Sequence, residues 1–518
     1  MQAAVQADAL RIRFIRRVSH GAAANLIGQA VNIVGQLVQV PLLLAMWGTA
    51  RYGEWLTLAS VVAYLSLLDF GVQTYATNRM TQCRATGDQL QYLRVLQSAW
   101  ALNLALACGG AALVLPALLL LPFDQWLQLH STGHGAASIT ACLLALQTIA
   151  ALPFGLVTGI YRTVNEYPRE QMTNIARQTA VLVATVVTVS AGGGVAAVAA
   201  AQLGAIALPT LYAWHDLKRR HPAAAIGLRH ASVSTALSFL HPSLLFLVLQ
   251  LCGAAVIQGT TLIAGGVFGP AAVATFVTLR TLANLSQLGN HAVRNALWPE
   301  VAAMEATRDH HGLRQLHTLI AKISMATWLC ATVVLHFEGG EVVRIWSRGR
   351  IPFDGAVLDC VLLLYGSYAF WETSSMLLGA SNQHRTMTWL SASGSACGLG
   401  LAWVLTHSLG LPGLVLGVAA ADIAIMAVFI PRLACRLISQ RFRDFIAQVL
   451  GRGLLAALPV VTVAAAATRW LPMGSGMIRI ISLSALTGLC CAASFWAIWL
   501  QQAERKRIAS IARRALGV

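Results

Sequence analysis

The sequence predicts an all-α polytopic membrane protein with about fourteen transmembrane helices. Of its 518 residues, 57% are hydrophobic and only 11% are charged. A soluble globular protein has roughly a quarter of its residues charged, so this chain has too few charges to cover a water-exposed surface. Apolar runs of the roughly 20 residues that a bilayer requires recur along the whole chain. Basic residues concentrate in alternate loops between these runs, as in multi-pass membrane proteins.

The first half of the chain contains six predicted spans. A basic N-terminus, residues 1–20, precedes them, and a polar cytoplasmic linker, residues 215–242, follows them. Gly192, Gly193 and Gly194 interrupt an apolar run that is too long for one helix. Within residues 21–214 the predicted spans are 21–45, 53–76, 96–121, 137–160 and the two parts of 174–214.

A second group of six predicted spans occupies residues 243–430. After it come a cytoplasmic loop and two further spans, which together make up residues 431–500, and then a basic cytoplasmic tail at 501–518. The spans of this half are predicted at 243–265, 270–297, 317–336, 355–380, 386–407, 411–430, 453–469 and 477–500.

Charge asymmetry predicts that both termini are cytoplasmic. Twenty-eight of the 36 Lys and Arg residues fall in the segments that this topology places in the cytoplasm, as the positive-inside rule expects. Six lie outside, at Arg51, Arg344, Arg348, Arg350, Arg469 and Arg479. The net charge of +17 therefore reflects membrane insertion and contact with anionic lipids, and it implies no nucleic-acid partner.

The first span carries a line of amide side chains. Asn25, Gln29, Asn32, Gln36 and Gln39 are spaced by three or four residues, which places them on one helical face. Such a face cannot point at lipid. One interpretation is a set of interhelical hydrogen bonds. The other, which five amides in register favour, is the wall of a polar cavity that binds substrate.

A second polar face is predicted on the eighth span. Arg280 lies too deep in it to reach the membrane surface easily, and it requires a cavity or a partner. Asn284, Gln287, His291 and Arg294 follow at helical spacing. We interpret these five residues as substrate-binding, with Arg280 holding an anionic group, although a structural ion pair would also explain that arginine.

Three acidic residues lie inside predicted spans. Asp69 could bind a proton or sodium ion and couple transport to an ion gradient, or it could pair with Arg79 or an arginine of the other half. Glu372 and Asp422 fit packing or hydrogen-bonding roles better than transport.

No catalytic or cofactor site is predicted. The ten cysteines are scattered without a CxxC pair, so neither disulfides nor metal are expected. His310 and His311 have no further ligands at metal spacing, and no GxxxxGK[ST] motif for ATP is present.

An internal repeat suggests two halves. A shift of 220 residues places AYLSLL (63–68) over ANLSQL (283–288), and parallel repeats of six spans are a common plan for transporters, with the site between the halves.

The start of the chain resembles the polysaccharide flippase family. The resemblance lies in the polar first span, Gly48, RYGEW (51–55) and YLSLLDFGV (64–72). This family belongs to the multidrug/oligosaccharidyl-lipid/polysaccharide (MOP) exporter superfamily.

The resemblance implies two six-helix lobes around a central cavity, plus two C-terminal helices. It also implies alternating access that flips a polyprenyl-diphosphate-linked oligosaccharide across the bacterial cytoplasmic (inner) membrane. The products would be cell-surface polysaccharides such as the O-antigen of lipopolysaccharide. The expected partners are this substrate and membrane lipids, with a polysaccharide polymerase and chain-length machinery as further candidates.

Two other classes stay open. A multidrug or cation exporter of the same superfamily would favour an acidic cavity, whereas the two faces described above are rich in amides and basic. A membrane glycan polymerase would need catalytic side chains outside the membrane. There the longest loop, about 337–354, offers only Glu338, Glu341 and Asp354 among arginines.

Overall fold

The residues that the computed structural model describes are mostly helical, and they contain no β-strand. They are 2–127, 129–164, 166–306, 308–381, 384–470, 476–502 and 504–505. The side chains of residues 1–26 lie outside this description, and with them that of Asn25.

Seventeen α-helices are present in the described chain. Those of the first half are α1 (Gln2–Ala63), α2 (Val72–Ala85), α3 (Gln89–Leu120), α4 (Phe123–Trp126), α5 (His134–Thr163), α6 (Tyr167–Ser190), α7 (Val195–Ala205), α8 (Ala207–Arg220) and α9 (Val233–Phe268). Those of the second half are α10 (Pro270–Ala283), α11 (Leu288–Ala306), α12 (His310–Trp346), α13 (Gly355–Ala380), α14 (His384–Leu437), α15 (Phe442–Ile446), α16 (Arg452–Trp470) and α17 (Met477–Ser494). Two short 3₁₀ segments, Tyr64–Asp69 and Asn284–Gln287, follow α1 and α10.

Ten helical stretches of the described chain are long and apolar enough to cross a membrane. Two of them, Ile27–Arg84 and Arg385–Leu437, contain a glycine with non-helical backbone angles, Gly48 and Gly410, so each supplies two spans. Adding the α10–α11 segment and α13 gives the upper end of a range of 12–14 spans. The predicted all-α, multi-pass membrane fold is therefore confirmed. The three glycines at 192–194 separate α6 from α7, as the sequence indicates.

Residues Met1–Ala274 form one compact unit, which we call unit 1. In it α1 packs against α5 and α6, and α9 packs against α1, α2 and α3. Buried side chains of α2, α3, α5 and α8 make a hydrophobic core, with Tyr92 and Tyr161 among its largest members. The sequence places the start of the second group of spans at residue 243, whereas α9 packs within unit 1. The predicted lobe boundaries stay a prediction.

The turn between the first two spans is fixed by contacts inside unit 1. Gly48 adopts φ 74°, a left-handed value that glycine tolerates best. Gly53 lies against the backbone of Pro270, whose carbonyl oxygen would overlap any added Cβ atom. The buried Glu54 accepts a hydrogen bond from the Ser131 backbone N–H at 2.6 Å. The RYGEW segment is thus a packing motif at the end of the first span.

Residues Thr275–Val518 form the second compact unit, unit 2. Helix α12 is at its centre, in contact with α11, α13, α16 and α17, while α13 packs along α14. The main hydrophobic core lies between α12, α13, α15, α16 and α17, and it includes the fully buried Phe445.

Local backbone geometry supports the internal repeat. The 3₁₀ segments begin at Tyr64 and Asn284, the positions that the 220-residue shift equates. Gly48 and Gly269, with φ values of 74° and 78°, lie within one residue of equivalent positions under the same shift. Both glycines stand at the turn that precedes the helix leading into a 3₁₀ segment.

Candidate functional site

A polar cavity of about 230 Å³ lies inside unit 1, between α1, α5 and α6. Its polar lining consists of Asn32, Gln36, Gln39, Gln147, Arg177 and Gln178. Three members of the predicted amide face thus share one cavity wall. Gln29 is half-buried on the same helix and is not part of the lining, and the side chain of Asn25 lies outside the described residues.

The amide face of α1 is positioned by small residues. Gly28 and Gly35 contact α6, where an added Cβ would meet Ile175 at 3.4 Å and Leu182 at 3.6 Å respectively. Small residues at these positions let two membrane helices approach closely. The amides beside them then face the space between helices, and Gln36 Nε2 donates to Asn32 Oδ1 at a long 3.5 Å. Within the described chain, this long contact leaves most of the hydrogen-bonding capacity of Asn32 and Gln36 unused.

Arg177 is a functional candidate that the sequence analysis does not single out. It lies on α6 with its guanidinium carbon 5.6 Å from the centre of the Phe154 ring. Its Nε is buried, and within the described residues it has no hydrogen-bond partner. The available signal was its position directly before the apolar run that forms the rest of α6.

Gln147, on α5, is the second residue that the sequence interpretation did not include. Its Oε1 atom is also buried and lacks a hydrogen-bond partner among the described residues. Buried polar atoms are almost always satisfied by protein or ordered water. One unsatisfied donor and one unsatisfied acceptor in the same cavity therefore make it a candidate site for a polar ligand or ordered water.

Arg280, on α10 in unit 2, is surrounded by aromatic residues. Its guanidinium carbon lies 5.1 Å from the centre of the Phe276 ring, and the phenol groups of Tyr365 and Tyr368 are close enough to interact with its charge. Asn284, which begins the 3₁₀ segment, is exposed. The substrate-binding roles of both residues stay predictions.

The rest of the second predicted face forms a hydrogen-bonded network inside unit 2. Gln287 is buried, donates to the Tyr365 carbonyl oxygen at 2.6 Å and accepts from Asn290 at 3.1 Å. Asn290 also donates to Glu372 at 2.8 Å. Gln287 therefore has structural partners for its amide, and the face is not a uniform row of free polar groups.

Arg294 has a carboxylate partner. Its Nη1 donates to Glu372 Oε2 at 2.9 Å, and its Nη2 is 3.4 Å from His291 Nδ1. Glu372 thus has the hydrogen-bonding role that the sequence favours for it. Because Arg294 is already neutralised inside unit 2, a substrate anion would have to compete with Glu372.

Asp69 caps a helix. It ends the 3₁₀ segment, and its carboxylate oxygens accept from the Gln73 backbone N–H at 3.2 and 3.3 Å, at the start of α2. A carboxylate is favourable there because it satisfies free N–H groups and faces the positive end of the helix. Arg79 donates to Gln82 at 3.1 Å, and no pair between Arg79 and Asp69 is formed among the described residues. The ion-coupling role of Asp69 stays a prediction.

Asp422 has a hydrogen-bonding role inside unit 2. It accepts from the Ser367 hydroxyl and from Trp371 Nε1, the latter at 3.0 Å. Within the described part of the chain, no group of three or more His, Cys, Asp or Glu residues is placed to hold a metal ion.

Solved structures of transporters have the same fold. An inward-facing multidrug resistance MATE transporter of the MOP superfamily matches with TM-score 0.66 and 16% identity over 78% of this chain and 96% of that one. The lipid II flippase MurJ, in an inward closed conformation, matches with TM-score 0.66 and 14% identity over 92% of this chain and 98% of that one.

A third similar structure is a MOP superfamily transporter from Pyrococcus furiosus, described as having a binding pocket of reverse polarity. It matches with TM-score 0.61 and 16% identity over 82% of this chain and 95% of that one. No protein-family model and no curated protein matches the sequence. At these identities the likeness concerns architecture, and this chain therefore has the fold shared by MATE transporters and MurJ in the MOP superfamily.

Proposed function

We propose that the protein is a transporter that flips a polyprenyl-diphosphate-linked oligosaccharide across the bacterial inner membrane by alternating access. The product would serve cell-surface polysaccharide biosynthesis, such as that of O-antigen. One observation carries the proposal, namely the cavity in unit 1. Its lining contains five glutamines and asparagines from α1, α5 and α6 beside Arg177, and it has no carboxylate among the described residues. The fold shared with MurJ, a lipid II flippase, supports it.

The chemistry of a lipid-linked glycan matches this lining. A sugar ring carries hydroxyl groups that both donate and accept hydrogen bonds, and a primary amide offers two donors and an acceptor. Moving an unsatisfied hydroxyl into an apolar environment costs several kcal/mol. Amides that replace water around each sugar lower the barrier to crossing without any bond being made or broken.

The lining of the cavity in unit 1 argues against a role as an exporter of cationic drugs. A cation entering the cavity would meet the Arg177 guanidinium, and a like charge in a medium of low dielectric repels it strongly. The amides alone offer no compensating negative charge. A glycan polymerase is less well supported still, because the fold is that of transporters.

Two substitutions in the cavity test the proposal. In cells whose own gene is deleted, the Gln36→Leu/Gln39→Leu variant should reduce surface glycan and cause lipid-linked precursor to accumulate. Each lost hydrogen bond is worth about 1 kcal/mol, and tenfold corresponds to about 1.4 kcal/mol, so flipping should slow by about ten- to hundredfold. The exposed Gln82→Leu change on α2 is the matched control.

The measurement is the ratio of surface glycan to precursor, with expression checked by immunoblotting. Normal surface glycan in the double variant would contradict the proposal. In parallel, Arg280→Glu separates the classes, because altered drug resistance with normal glycan would support the exporter.

A further inference from the structure

We propose that the cavity in unit 1 is a subsite for a single anionic sugar, with Arg177 pairing with its carboxylate. This inference rests on the proposed function, because it names one sugar of the glycan that the protein would flip. It concerns a residue that the two predicted polar faces do not include.

Arg177 differs from three other cations of the helices, which have carboxylate partners. Lys322 pairs with Glu504 at 2.8 Å, Arg294 with Glu372 at 2.9 Å, and Arg479 with Glu338 at 2.7 Å. Among the described residues Arg177 forms no such pair. A charged side chain inside a membrane protein is costly and usually faces a partner or a functional cavity. The described part of the chain offers Arg177 no counter-charge, and we infer that the ligand supplies it.

The orientation of Arg177 suits an anion. The guanidinium lies over the Phe154 ring, itself buried in the core of unit 1, so stacking limits where the planar group can point. The buried Nε lacks a partner among the described residues. A guanidinium in this position can donate two parallel hydrogen bonds to a carboxylate, the geometry that favours arginine at such sites.

The remaining lining suits the hydroxyls of a sugar. Gln147 presents an unsatisfied acceptor, its Oε1, while Gln36 and Gln39 add further donors and acceptors from α1. A free inorganic anion would use the arginine but leave this acceptor without a donor. A sugar acid supplies both an anionic group and hydroxyl donors.

The size of the cavity indicates one sugar of the glycan. A cavity of about 230 Å³ holds on the order of eight waters at about 30 Å³ each, which is room for one ring but less than typical ligand pockets of about 300–1,000 Å³. Arg177 lies about 15 Å along α6 from Tyr167, the first residue of this 24-residue helix, at 1.5 Å per residue. The cavity therefore lies away from both ends of α6.

The test uses two synthetic substrates that share one polyprenyl diphosphate and differ only in one sugar, glucose or glucuronic acid. The full-length protein is reconstituted in proteoliposomes, and flipping is followed by the accessibility of the labelled glycan to a membrane-impermeant reagent. The variants are Arg177→Gln, Arg177→Lys and, as the control, the exposed Arg79→Gln on α2. Because Arg177→Gln removes a buried charge without leaving a protein carboxylate unpaired, its melting temperature should not fall.

We expect Arg177→Gln to lower flipping of the acidic substrate at least tenfold and that of the neutral substrate less than twofold, with partial recovery in Arg177→Lys. Equal loss for both substrates would overturn the inference, because it would assign the arginine to the diphosphate that they share. No loss for either would overturn it as well. In both cases the proposed function stands, whereas a wild-type protein that moves neither substrate would refute the proposed function itself.

Discussion

Replacing Glu504 by Gln is expected to destabilise unit 2 strongly. The Lys322 ammonium group, on α12, is fully buried, and both Glu504 carboxylate oxygens lie 2.8 Å from it. The backbone N–H of Gln501 also donates to this carboxylate at 2.6 Å. The substitution would leave a buried cation facing a neutral amide.

The magnitude follows from the burial of the pair. Breaking a buried ion pair by removing one partner costs about 3–5 kcal/mol. For a folding unit of about 150–250 residues, each kcal/mol shifts the melting temperature by about 2–4 °C. Unit 2, Thr275–Val518, falls in that size class, so Glu504→Gln should lower the melting temperature by roughly 6–20 °C.

The assay is thermal unfolding of the purified protein in detergent, followed by tryptophan fluorescence. A double variant, Lys322→Met/Glu504→Leu, should recover most of the loss, because an apolar pair of similar size often replaces a buried ion pair without cost. Glu341→Gln is the matched control, since its exposed pair with Arg344 on the same helix should contribute nothing measurable. A melting temperature within 2 °C of the wild type for Glu504→Gln would refute this reasoning.

Two further predictions concern unit 1. Gly53→Ala should lower the free energy of unfolding by about 1–3 kcal/mol, the usual effect of overpacking, because the added Cβ overlaps the carbonyl oxygen of Pro270. A lower melting temperature and a lower yield of purified protein would show this loss, and unchanged values would contradict it. Asp69→Asn should keep transport while losing up to about 1 kcal/mol of stability, since an amide oxygen still caps the Gln73 N–H. Loss of the dependence of flipping on an ion gradient, with stability unchanged, would instead favour ion coupling by Asp69.

Features with a local signal could be predicted from the sequence. The amide face of α1 follows from spacing alone, because five amides in an otherwise apolar helix can only face protein or water. The break at residues 192–194 follows from three consecutive glycines, and the two 3₁₀ segments stand at the positions that the repeat of 220 residues equates.

Features that depend on tertiary contacts could not be predicted from the sequence. The sequence does not distinguish Arg177 because hydropathy gives no reliable boundary for a span. Its place in the lining of the cavity depends on how α1, α5 and α6 pack. Likewise, the spacing predicts Arg294 as a substrate ligand, whereas in the fold its Nη1 atom lies 2.9 Å from Oε2 of Glu372, which is 78 residues away in sequence. Spacing along one helix contains no information about the charge that a neighbouring helix presents.

The 3₁₀ segment Tyr64–Asp69 interrupts the α-helix of the second span. Its backbone leaves the regular helical hydrogen-bond ladder, and the next two residues, Phe70 and Gly71, have φ values of 49° and 73°. Bending is easier at such a point than in a continuous α-helix, because fewer backbone hydrogen bonds have to break. The part of the span that contains α2 therefore changes direction at Phe70 and Gly71, and this places its buried face against α3 and α5.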